Sequence, residues 1–234
     1  MKKTILFLLA LVLAASLAGV PAMATNIPVV NYSFEETPEG MSFTSVSDGS
    51  QYMRAISGWE THNGIIGPFN GTAVMSANQY TSEWWDGNNV AYVTVSRSKT
   101  SNYISQIVPG SSLTAGHLYT LSALVGRRLD NGTGYDIGYG LELAAGGQSL
   151  ASVSGSLDPG AYIMASLQFF AEANNPYLGQ PLEIRLWAYG TKGQSNFDMV
   201  TLTNVVPAPI PGGAILVFSG LLGMCFMGWR FRKN

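Results

Sequence analysis

Leu182-Glu183-Ile184-Arg185-Leu186-Trp187-Ala188-Tyr189 is the stretch on which the fold turns. Leu182, Ile184, Leu186 and Ala188 alternate with Glu183, Arg185, Trp187 and Tyr189. Successive side chains of a strand point to opposite faces, so the octet reads as a strand with one buried and one exposed side. Outward from it, short runs rich in Val, Ile, Tyr, Phe and Thr recur between Gly, Asn, Pro and Asp, without a long 3.6-residue period. Strands are expected at 29–35, 72–76, 90–95, 103–108, 117–125, 136–143, 149–152, 162–170, 182–189 and 197–203. Glycine-rich turns such as Ala145-Gly146-Gly147-Gln148 join them. The expected fold class is all-β, a β-sandwich of jelly-roll type, with one domain over residues 25–206.

Composition narrows the function classes. Of 234 residues, 47% are apolar and only 11% charged, with 27 glycines and 11 prolines. A charge-rich coiled coil or a disordered charged tail is excluded. All 14 acidic residues lie between Glu35 and Asp198, where seven basic residues leave a net charge of −7, while the two ends carry +5. Such a middle repels a phosphate backbone, so nucleic acid is not expected as a partner.

The ends read as addresses. Lys2 and Lys3, the apolar run Ile5 to Leu17 and Ala22-Met23-Ala24 have the three parts of a secretory signal over residues 1–24, with cleavage expected before Thr25. At the other end, Pro207-Ala208-Pro209-Ile210-Pro211 precedes an uncharged stretch over 212–229, followed by Arg230, Arg232 and Lys233. Such a stretch forms a helix of about 27 Å, close to a bilayer core. The basic tail holds its own side in the cytoplasm and leaves residues 25–206 outside.

This three-part ending, with Pro207, Pro209 and Pro211, an apolar span containing Ser219-Gly220-Leu221-Leu222-Gly223 and the basic cluster, resembles the PEP-CTERM sorting signal of Gram-negative bacteria. Pro-Glu-Pro is missing, and Val206-Pro207 with Pro209-Ile210-Pro211 is similar to the "VPxPIPG" variant; Gly212-Gly213 also resembles the GlyGly-CTERM signal. The resemblance implies an exosortase-type processing enzyme as partner, an intermediate anchored in the inner membrane, and a cell-surface or extracellular destination. Asn31-Tyr32-Ser33-Phe34-Glu35, Ile56-Ser57-Gly58-Trp59, Ile104-Ser105-Gln106, Leu113-Thr114-Ala115-Gly116 and Asn196-Phe197-Asp198-Met199-Val200-Thr201-Leu202 are similar to a recurrent ectodomain of such proteins and to jelly-roll carbohydrate-binding modules. In those modules the first Glu and last Asp serve a structural calcium site, which implies Glu35 and Asp198 as its ligands here. No other cofactor is expected.

The only cysteine, Cys225, lies in the expected span, so residues 25–206 have no disulfide and no cysteine nucleophile. His62 and His117 are too few for a multi-histidine zinc site, and no Gly-x-Ser-x-Gly elbow is present. His117, at the mouth of a strand, reads as a polar rim residue. Aromatic side chains are the candidate glycan-binding platform, since flat apolar sugar faces stack on Trp and Tyr while neighbouring amides and carboxylates hold the hydroxyls. Two groups qualify: Tyr80, Trp84 and Trp85 beside Asp86 and Asn88, and Trp187 with Tyr189 beside Glu183 and Arg185. Trp59 reads as a core or loop anchor. The expectation is an exported, non-catalytic surface or matrix protein that associates with exopolysaccharide and biofilm. The alternatives are a glycoside hydrolase using Glu142 and Glu183 and a protein-binding surface subunit.

Overall fold

A computed structural model describes residues 23–45, 51–62, 72–76, 85–95, 101–128 and 136–207. The strands are β1 (Ala24–Ile27), β2 (Thr44–Ser45), β3 (Gln51–Met53), β4 (Glu60–His62), β5 (Thr72–Ser76), β6 (Asn89–Val95), β7 (Ser101–Ser112), β8 (Leu118–Arg127), β9 (Ile137–Ala145), β10 (Gln148–Ser156), β11 (Tyr162–Phe170), β12 (Pro181–Gly190) and β13 (Gly193–Val205). They form two antiparallel sheets. The larger runs β11, β8, β13, β6, β5, β3, β2, with β1 paired to the end of β13; the smaller runs β10, β9, β12, β7, β4. The all-β sandwich expected from the alternating runs is the architecture found.

The core lies between the inner faces. Leu182, Ile184, Leu186 and Ala188 of β12 are fully buried, as their alternation requires, and meet Leu121, Ala123 and Val125 of β8, Leu141 and Leu143 of β9, and Phe197 and Leu202 of β13. Burying each of the large aliphatic side chains contributes about 1.5–3 kcal/mol, and a cavity left by Leu186→Ala costs about 2–5 kcal/mol. Trp59 is buried at 7% exposure, with its indole N–H donated to Val30 O at 3.0 Å, as an anchor should be.

The first expected strand is displaced. Residues 30–34 form turns rather than a strand, because Asn31 and Phe34 take left-handed backbone angles, φ 48° and 61°. The buried Asn31 side chain holds that turn: its amide donates to Glu36 O and Ser57 O, and its carbonyl accepts the Glu36 N–H. Gln106 adds bonds to both backbone groups of Val30. The strand that does form, β1, pairs with β13 from Ala24↔Val205 to Ile27↔Leu202. The expected strand at 162–170 matches β11 residue for residue, and the other strands beyond residue 72 fall within a few positions of expectation.

Among the described residues no helix is long and apolar enough to cross a membrane. The expected signal over 1–24 lies outside the described residues but for its last two, and the span over 212–229 lies wholly outside them. So do Pro209, Pro211, Arg230, Arg232 and Lys233, and the ligand candidates Tyr80 and Trp84. Pro207 is described, exposed, and follows the last strand.

Candidate functional site

Strand β6 is buried along its whole length, which requires cover on both of its sides. Ala91, Val93 and Val95 enter the main core, while Val90 and Tyr92 form a second apolar cluster with Tyr52 and Trp85 on the outer face of the larger sheet. Register places a row across that face: Tyr92 opposite Asn196, Asn196 opposite Gly126, and Gly126 opposite Tyr162. One step along, Asp198 faces Leu124, and Leu124 faces Met164. The Tyr162 ring lies over Gly126, where any Cβ would overlap it, so only glycine leaves room for the ring. Trp85 meets Tyr162 edge-on, with ring centroids 4.3 Å apart and planes at 84°. These residues line a shallow recess, half open to solvent and closely filled by its own side chains, bounded by Trp85, Val90, Leu124, Tyr162, Asn196 and Asp198.

Asp198 is the polar end of this recess and is only 1% exposed. A bulge in β13 between Asp198 and Thr201, with Met199 at φ 50°, interrupts the pairing with β8 beside it. One carboxyl oxygen of Asp198 accepts the Asp86 N–H at 2.9 Å and the other accepts the Met199 N–H at 2.7 Å. Burial nevertheless pushes its pKa up to about 7, against those two bonds and with the negative charges of Asp86 and Glu35 pushing the same way. Near neutral pH this carboxyl is therefore about half protonated, at the end of an apolar, aromatic recess.

The segment 85–88 is fastened from below. Glu35 Oε1 accepts the Asn88 and Asn89 N–H groups at 2.9 and 2.7 Å, with its carboxylate packed directly against Gly87 at φ 81°. The Tyr32 hydroxyl donates to Asp86 Oδ2 at 2.9 Å. Glu35 and Asp198, expected together, thus meet the same segment. Each faces N–H donors, the reverse of the oxygen lining a calcium ion needs. Among the described residues no group of three or more His, Cys, Asp or Glu is placed to hold a metal ion.

The second expected aromatic group lies on the outer face of the smaller sheet. Trp187 covers Gly140 and Tyr189 covers Gly138, each ring filling the volume a side chain would need. Beside them Arg185 bonds Glu142 at 2.9 Å and Glu183 at 2.7 and 2.8 Å. Both carboxylates are therefore occupied by one guanidinium, which corrects their reading as a hydrolytic pair. His117 accepts or donates one bond with the Asn204 side chain at 2.9 Å, at the rim where it was expected.

Of the sequence-expected residues the recess brings together Trp85 and Asp198, with Glu35 holding the adjoining segment. It adds Tyr162, Asn196, Leu124 and Val90, which residue-by-residue reading passed over. A signal for them exists: strands β6 and β8 carry Val90, Tyr92 and Leu124 on the side away from the core, more apolar surface than one buried face explains.

A family model described as "HpiC1-like: HpiC1 cyclase" matches residues 25–203. Among solved structures, the Stig cyclase Fisc from Fischerella sp. TAU, in complex with (3Z)-3-(1-methyl-2-pyrrolidinylidene)-3H-indole, is 26% identical with a TM-score of 0.64, over 78% of this chain and 98% of that one. A cyclase from Fischerella sp. TAU in complex with 4-(1H-indol-3-yl)butan-2-one is 25% identical with a TM-score of 0.62, over 77% and 97% of the two chains. No curated protein sequence is matched.

Proposed function

The chain belongs to the HpiC1-like cyclase family, and from that premise we propose that it is an acid-catalysed cyclase whose substrate carries an indole and whose proton donor is Asp198. The expected non-catalytic, exopolysaccharide-associated surface protein is corrected by that family membership, and with it the hydrolase alternative. One observation carries the proposal: a carboxyl that is 1% exposed, with a pKa pushed up to about 7, ends a recess walled by Trp85, Tyr162, Leu124 and Val90.

The chemistry follows from that arrangement. Trp85 and Tyr162 fill the recess with their own edge-on contact, and an indole ring takes the place of that contact by displacing one ring and stacking on the other. Protonated Asp198 delivers its proton to an unsaturated carbon of the substrate, generating a carbocation while the carboxylate is left with the Asp86 and Met199 N–H bonds to stabilise its charge. A nucleophilic carbon of the same substrate closes the ring, and loss of a proton to Asp198 restores both the carboxyl and neutrality. Atoms balance without a co-reactant.

The test is conversion of indole-bearing alkenes by residues 25–206, read by mass-neutral change of retention and by NMR. Cyclised product formed by the wild type and lost in Asp198→Asn supports the proposal. An unchanged rate in that variant removes Asp198 as the donor.

Two finer readings are proposals of their own. Calcium at Glu35 and Asp198 is supported by their meeting at one segment and weakened by the N–H donors both accept; an unchanged melting midpoint with and without chelator rejects it. Export, and anchoring and release through the PEP-CTERM-like ending by an exosortase-type enzyme, are supported by the two terminal sequences alone. Intact mass of the protein recovered from envelope and medium checks both cleavages.

A further inference from the structure

Charge at the recess is one-sided. Asp198 lines it, the Asp86 backbone is bonded to that carboxyl at 2.9 Å, and the Glu35 carboxylate packs against the next residue, Gly87. None of the residues bounding the recess among those described is basic. Arg54 acts on Tyr92, in the neighbouring apolar cluster. The Tyr32 hydroxyl, donating to Asp86 Oδ2 at 2.9 Å, holds the Asp86 carboxylate outside the lining itself but close enough for its charge to act on Asp198. A fixed anion next to aromatic walls is the arrangement that favours a delocalised cation over its neutral isostere, through direct attraction and through the ring faces.

We propose that Asp86 is a specificity-determining residue that makes the recess prefer cationic, protonated indole ligands to neutral ones, and that the same charge steadies the carbocation formed in ring closure. The proposal rests on the indole-cyclase reading above and deepens it. It also explains an apparent waste in the design: anions placed near a carboxyl that must act as an acid. They keep the proton on Asp198 before transfer, and they lower the energy of the cation after it.

Two probes separate this from the parent reading. The pyrrolidinylidene-indole named above is a vinylogous amidine, which takes a proton on the indole nitrogen to give a delocalised cation; the indolyl butanone is neutral. Binding of each to residues 25–206 is followed by tryptophan fluorescence. The wild type is expected to bind the amidine about tenfold more tightly than the ketone, the effect of one partly screened charge. Asp86→Asn, whose amide oxygen still accepts the Tyr32 hydroxyl, is expected to lose that preference while keeping its ketone affinity. Equal affinities in the wild type, or a preference unchanged in Asp86→Asn, overturn the inference and leave the indole site standing. Failure of both ligands to bind the wild type removes the indole site itself. Should Asp86→Asn lose both ligands, Glu35→Gln decides, since its amide oxygen still accepts the two loop N–H groups: a reduced preference supports the inference and a preserved one overturns it.

Discussion

On the outer face of the smaller sheet, Arg185 stands between Glu142 and Glu183 at 2.9 and 2.7 Å. On the outer face of the larger sheet, Asp198, Asp86 and Glu35 stand near one another with backbone N–H groups and a tyrosine hydroxyl as their partners. Both faces offer aromatic rings over glycines and both offer carboxylates. They differ in charge compensation. A guanidinium pairs with both Glu142 and Glu183, whereas Asp198 has no cation beside it among the described residues and burial, with neighbouring anions, pushes its pKa up to about 7. An inventory of residue types rates the two faces alike; the pairing of charges tells them apart.

The comparison breaks most easily at the two kinds of carboxylate. Asp198→Asn is expected to lower the cyclisation rate about a hundred- to ten-thousand-fold, the usual worth of a positioned proton donor, while Glu142→Gln and Glu183→Gln leave it unchanged. A comparable loss in either Gln variant would erase the distinction. Next comes pH. Protonated Asp198 is the active form, so the rate is expected to fall about tenfold per unit above a midpoint near 7. Stability has its own sign. A raised folded-state pKa means the native protein holds a proton that the unfolded chain has released, so stability falls as pH rises from about 4 to about 7 and then levels off. Melting midpoints across that range should show the slope in the wild type and lose it in Asp198→Asn.

Smaller effects sharpen the other face. Arg185→Leu strips the partner from two carboxylates that are 18% and 15% exposed and should cost about 1–3 kcal/mol in denaturant unfolding, with activity kept. The smallest contrast uses the two glycine floors. Gly126→Ala and Gly140→Ala each push an overlying ring, Tyr162 or Trp187, from its seat, at about 1–3 kcal/mol. Only Gly126→Ala should alter turnover. Equal activity in the two would separate Tyr162 from the site.

How legible was this in the sequence? The octet at β12 and the run at β11 were, because alternation survives in any sheet that buries one face. The segment 29–35 reads as a strand because its Val, Tyr and Phe favour extended backbone, but Asn31 and Phe34 are held left-handed by side-chain bonds to residues as far away as Ser57 and by the packing of the turn. Trp85 and Asp198 were named for different reasons, a sugar platform and a calcium ligand. What joins them is a hydrogen bond between residues 112 positions apart, set by the pairing of β6 with β13. Local pattern does not record such a contact. Nor does it record the burial that pushes the pKa of one particular carboxyl up to about 7.

The pairing of β1 with β13 has a practical consequence. Ala24 sits opposite Val205, so the two ends of the sandwich leave from a single place. A short linker could close the chain there, and the exposed hairpin at Gly146-Gly147, on the other sheet from Asp198, offers a site for new ends. Such a circular permutant would carry the outer face of the larger sheet, with Asp198, on uncut strands.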